Sequence, residues 1–166
     1  MPLGVSLKKI DMAIKVFIDT EFTDFYNPQL ISMGMAADSG EEFYIELPFH
    51  YHDCNEFVRE VVVPLLGKIP HAQCTNDDAY SRIVDWLKLI RYREENIEIC
   101  FDHQTDWDLF GKALSENIPS WCKPRLVDDR INELLRYDFH EKNQLPEHHA
   151  LYDAQANRYA FREAIS

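Results

Sequence analysis

The hydrophobic run from Ile14 to Ile18 passes straight into Asp19-Thr20-Glu21-Phe22, with no turn residue between them. Such a run reads as a buried β-strand, and residues two apart on a strand face the same way. Asp19 and Glu21 therefore aim two carboxylates side by side from the end of a strand that the chain otherwise buries. Any fold built around this strand has to place something that offsets their repulsion at that end.

The rest of the chain says what kind of fold surrounds it. Residues 13–22 form the first expected strand and the apolar 30–38 the second. A turn at Asp38-Ser39-Gly40 leads into a third strand over 41–47, giving a hairpin. Phe57, Val58, Val61, Val62 and Leu65 repeat at helical spacing over 55–66, up to Gly67. Residues 75–93 open with capping residues and set Ile83, Trp86, Leu87 and Ile90 on one face of a second helix. A short buried strand follows at 97–101, then a helix from about Thr105 to Glu116. A fifth strand is expected at 125–127, a helix at 129–138, and a last helix from about His148 to the end. Three strands in a meander, followed by alternating helix and strand, describe an α/β fold with a mixed sheet flanked by helices.

With 166 residues and no linker, repeat or low-complexity tract, the chain reads as a single domain over 1–166. No run reaches the length of a membrane span. The opening MPLGVSLKKIDM lacks the apolar stretch of a signal peptide, so a cytoplasmic location is expected. Cys54, Cys74, Cys100 and Cys122 lie far apart and without ligand spacing, which favours reduced structural thiols over a zinc site. A formal charge of −12 argues against a protein that coats nucleic acid. It does not exclude an enzyme whose bound cations reverse the sign locally.

Further acids sit at other element junctions: Asp102, Asp106 and Asp108 after the strand 97–101, and Asp153 five residues after His148. Singly, each has a bland reading as a solvated edge, a helix N-terminus or a polar loop. Together and in this order they suit hard divalent cations. Two such ions about 4 Å apart clamp both oxygens of an in-line phosphoryl displacement, while a nearby histidine takes a proton from the attacking water.

Asp19-Thr20-Glu21-Phe22, an aspartate after the fourth strand, and His148-x4-Asp153 together resemble the DEDDh group of 3′–5′ exonucleases. The stretch from Asp19 to Leu47 is most similar to small bacterial exoribonucleases of the ribonuclease AS type. The resemblance spans nearly the whole chain and implies a ribonuclease-H-like fold. It implies a 3′–5′ exoribonuclease that works on single-stranded RNA 3′ ends with two Mg²⁺ or Mn²⁺ ions and releases 5′-nucleoside monophosphates. A DNA exonuclease or a catalytically silent binding module are the alternatives. Relatives also suggest a homodimer.

Carried over by position, Asp19, Glu21, Asp153 and one middle aspartate become metal ligands, and His148 the general base. Thr20, Phe22 and Thr23 become candidates for contact with the terminal nucleotide, although Phe22 fits a core position equally well. Asp102 departs from the pattern, since many relatives carry asparagine there. His148 fits the spacing to Asp153, whereas His149 does not. For the middle acid, helical geometry puts Asp106 roughly 30° from the centre of the apolar face and Asp108 roughly 170° away. Asp106 is the expected ligand. The competing registration takes Trp107-Asp108 as the aromatic–aspartate pair of several relatives.

Overall fold

The protein was analysed as a computed structural model, which describes residues 13–163. The opening MPLGVSLKKIDM, on which the expectation of a cytoplasmic location rests, lies outside the described residues. Five strands, β1 (Ile14–Phe22), β2 (Leu30–Ala37), β3 (Glu42–Glu46), β4 (Ile97–Phe101) and β5 (Cys122–Leu126), form one sheet in the order β3-β2-β1-β4-β5. The meander β1-β2-β3 is antiparallel, whereas β4 and β5 run parallel to β1. This is the mixed α/β sheet expected from the order of elements.

β1 is central and covered on both sides. Val16 and Ile18 pack with Ile83 and Leu87 of helix α1 (Asn76–Ile90) and with Phe110 of α2 (Gln104–Ala113). Phe17 faces the other layer, with Cys100, Ile131 and Ala160, where α3 (Glu133–Asn143) and α4 (Ala150–Ala160) lie. None of the four cysteines is bridged. No helix among the described residues is long and apolar enough to cross a membrane.

Four elements differ from the sequence reading, each for a local reason. The helix expected over 55–66 is a π-helical turn at Val58–Val62 followed by a 3₁₀ turn at Val63–Leu65. Pro64 lacks an N–H and crowds the residue before it, so an α-helix does not continue through this segment. β5 starts three residues earlier than expected and contains Pro124, which is tolerated because β5 is an edge strand. α3 starts at Glu133, capped by Asn132, whose side chain accepts from the Leu135 amide at 3.1 Å. A separate 3₁₀ turn, Asp128–Arg130, fills the earlier positions. The last helix begins at Ala150 and ends at Ala160; His148 precedes it with a left-handed φ of 63°.

Candidate active site

Parallel pairing of β1 with β4 brings their C-terminal ends together, so Asp19 and Glu21 meet the loop that carries Asp102 into α2. Asp106 lies in the first turn of α2 and is 3% exposed. Thr20, on the face of β1 opposite Asp19 and Glu21, donates to Asp106 Oδ1 twice. Its amide does so at 3.2 Å and its hydroxyl at 2.6 Å. Thr20 is itself buried. One residue of β1 thus locks the acid of α2 beside the two acids of its neighbours.

The fourth acid arrives through a glycine. Gly34 of β2 pairs with Asp19, and a Cβ there would overlap the carbonyl of Ala150 and the amide of Leu151. Its absence lets the first turn of α4 rest directly on the sheet, helped by the fully buried Ala150 and Ala154. Asp153 then reaches the end of β1. Its Oδ2 accepts the backbone amide of His148 at 3.0 Å, which holds the left-handed residue at the helix entrance.

Two sets of donor atoms result, each with its members within 4.8 Å of one another: Asp19, Asp102 and Asp106, and Glu21, His148 and Asp153. A cavity of about 220 Å³ is lined by Asp19 and Asp102 of one set and His148 and Asp153 of the other, with Arg136 and His140 also in its wall. A larger hollow of about 450 Å³, lined by Leu47, Phe49 and Leu66, lies elsewhere beside β3 and holds neither set.

The electrostatics are those of acids with too little counter-charge. Burial, followed by the charges of Asp106, Asp153, Glu21 and Asp102, raises the Asp19 carboxyl well above its ordinary range. Burial and then Asp153 and Asp106 push Glu21 up to about 8. Burial likewise pushes Asp106 up to about 7, against the hydrogen bonds from Thr20 that lower it. Asp19 Oδ2 is buried with no hydrogen-bond partner among the described residues. A buried oxygen of this kind is costly unless a cation or proton meets it. The donor set of carboxylate oxygens and one imidazole suits a hard divalent cation.

The remaining expected residues divide. Asp108 is exposed and accepts from Gln104 Nε2 at 3.1 Å, away from the cavity. His149 is buried and its ring stacks between Tyr44 and Tyr152, at 4.6 and 4.0 Å. Phe22 is half-buried and meets the edge of Phe25, which is 69% exposed. Thr23 is buried; its hydroxyl accepts from the Gln29 amide and its carbonyl from that of Asn55. That ties the end of β1 to the segment carrying Phe57, whose ring meets His148 edge-on at 4.9 Å.

Sequence reasoning missed two basic side chains. On α3, Arg136 Nη1 pairs with Asp102 Oδ2 at 3.0 Å, and His140 Nε2 lies 3.2 Å from Asp153 Oδ1. Their spacing of four residues puts both on one helix face, but nothing in the sequence says that this face turns toward the acids.

No protein-family model and no curated protein matches the chain by sequence. Solved structures do resemble it. The nuclease domain of 3'hExo, a DEDDh family member bound to rAMP, superposes with a TM-score of 0.59 at 14% identity, over 87% of this chain and 88% of that one. Cell-death related nuclease 4 (CRN-4) gives 0.55 at 15% identity, over 89% of this chain and 62% of its own. A full-length 3'-exonuclease gives 0.53 at 12% identity, over 87% and 78%. At these identities the likeness is one of fold, and the chain has the fold of the DEDDh exonuclease domains.

Proposed function

We propose that the protein is a metal-dependent 3′–5′ exonuclease that shortens single-stranded RNA from its 3′ end and releases 5′-nucleoside monophosphates. One observation carries this reading. Asp19, Glu21, Asp106 and Asp153, from three distant stretches of chain, come together with Asp102 and His148 in two donor sets, and a buried Asp19 oxygen is left without a partner among the described residues. The similar folds support it, since 3'hExo is a DEDDh nuclease seen with rAMP and a 3'-exonuclease of this fold recognises the 3' end of a histone mRNA stem-loop.

Asp19, Glu21, Asp106 and Asp153 would hold the cations, with Asp102 and His148 at the edges of the two sets. Bound Mg²⁺ or Mn²⁺ would neutralise charge on the scissile phosphate and lower the pKa of a water. A ring nitrogen of His148 would accept the proton of that water as it attacks phosphorus and the P–O3′ bond breaks. The leaving O3′ would take up a proton from solvent and become the 3′-hydroxyl of the shortened RNA. Phe22, which follows Glu21 in β1, and Phe57, edge-on to His148, would pack against the terminal base. With a net charge of −12, the grip on RNA would extend over few phosphates. The resemblance of residues 19–47 to ribonuclease AS-type enzymes favours RNA over DNA and a homodimer over a monomer.

The test is digestion of matched RNA and DNA oligomers with Mn²⁺, products resolved by length, using wild type and Asp19→Asn. RNA should shorten one nucleotide at a time and Asp19→Asn should be inactive. Faster loss of DNA would reassign the substrate. No degradation of either would make the protein a binding module on a nuclease fold.

A further inference from the structure

His140 is a buried histidine that the reading above leaves unused. It is 6% exposed, on the last turns of α3. Its Nδ1 lies 3.0 Å from the Leu145 carbonyl and its Nε2 3.2 Å from Asp153 Oδ1. A backbone carbonyl only accepts, so Nδ1 carries a proton and donates it. The bond to Asp153 likewise needs one proton between Nε2 and Oδ1.

We propose that His140 is a positioning residue for Asp153 and, through it, for His148. This rests on the reading that the acidic cluster holds a divalent cation. Asp153 is held at both oxygens: Oδ1 by the His140 ring and Oδ2 by the His148 amide. The carboxylate plane is therefore set by protein contacts on both sides, with a lone pair on each oxygen left for a ligand. The second contact also reaches the base, because His148 has a left-handed backbone that an L-residue adopts only when its surroundings hold it there. His140 fixes the carboxylate, the carboxylate fixes the backbone of His148, and that backbone sets where the imidazole starts. Groups that orient ligands in this way are worth about 10- to 100-fold in metal affinity.

The two ring nitrogens allow the positioning role to be separated from a structural one. An asparagine amide takes the place of Nδ1 and keeps the bond to Leu145, but does not reach Asp153. A glutamine amide takes the place of Nε2 and keeps Asp153. Amide hydrogen exchange on the metal-free full chain is the first readout. His140→Asn should speed exchange at His148 about three- to tenfold, the equivalent of one lost hydrogen bond, with amides of β2 and α1 unchanged. His140→Gln should restore wild-type protection. Mn²⁺ titration calorimetry is the second, with about tenfold weaker binding in His140→Asn and recovery in His140→Gln.

Equal behaviour of the two variants, the reverse ranking, or tighter Mn²⁺ binding in His140→Asn would overturn the proposal. So would a wild-type ring spectrum with no proton between His140 Nε2 and Asp153, a check that needs no variant to fold. Should wild type bind no Mn²⁺, the metal-dependent reading fails while the exchange data still decide the role of His140.

Discussion

Raising the pH from 6.5 to 8 should destabilise the metal-free protein, through Glu21 together with the similarly raised Asp19 and Asp106. Burial, then Asp153 and Asp106, hold the Glu21 carboxyl at about 8, against an ordinary 4.5. In this range native Glu21 keeps a proton that the unfolded chain has already lost. The native state binds more protons, so stability falls as pH rises toward the folded pKa. A pH unit costs about 1.4 kcal/mol while such a group stays fully protonated and less as it nears its folded pKa, so Glu21 would lose somewhat less than about 2 kcal/mol over this span. Asp106, held at about 7, adds a smaller loss at the lower end. Screening by solvent and by neighbouring groups leaves a net loss on the order of 1–2 kcal/mol.

His140, raised mainly by its bond to Asp153, acts in the same direction. Its contribution is complete below its ordinary 6.5 and is lost as pH climbs through the higher folded value. His149, lowered by burial, gains stability with pH only below 6.5, which is why the window starts there. For a domain of this length the melting temperature should fall by about 3–6 °C. The assay is scanning calorimetry in chelator at both pH values, on wild type and Glu21→Gln. Glu21→Gln should reduce the fall by about its own share, and millimolar Mn²⁺ should remove it in wild type by holding the carboxylates ionised. A melting temperature that is flat or rises with pH in chelator refutes the reasoning, as does an undiminished fall in Glu21→Gln.

Gly34→Ala should cost roughly 3 kcal/mol or more, because the new methyl meets the backbone of Ala150 and Leu151 rather than a movable side chain. Denaturant unfolding checks this, and the same variant should lose nuclease activity as α4 lifts Asp153 away. Asp106→Asn should abolish RNA digestion while the exposed Asp108→Asn keeps most of it; a dead Asp108→Asn would move the site off the face that the hydrogen bonds of Thr20 define. His148→Ala should lower kcat far more than His149→Ala. The loss in His149→Ala should appear instead as a lower melting temperature, since that ring is stacked between two tyrosines.

Much of this architecture was legible in the chain because it depends on near neighbours. Period-two alternation places Asp19 and Glu21 on one face of β1 whatever surrounds them, and the 100° step of a helix separates Asp106 from Asp108 before any partner is known. The order of strands and helices restricts the sheet to a mixed one for the same reason. Element boundaries failed where a single residue overrode the pattern, as Pro64 did within a helical spacing and Pro124 within a strand.

Tertiary structure alone decided which groups answer the acids. Arg136 and His140 share a face of α3 by sequence, yet that face meets Asp102 and Asp153 only because α3 packs against α4, beside the loop that follows β4. Gly34 carries no chemistry in the sequence, and its role appears only when α4 comes to rest on it. His148 looked like the first residue of a helix; its left-handed backbone is set by a carboxylate five residues later, which the fold has already fastened from the other side. Spacing along a chain fixes which residues share a face, whereas the counter-charges of a buried site depend on distances that close only when separate elements pack.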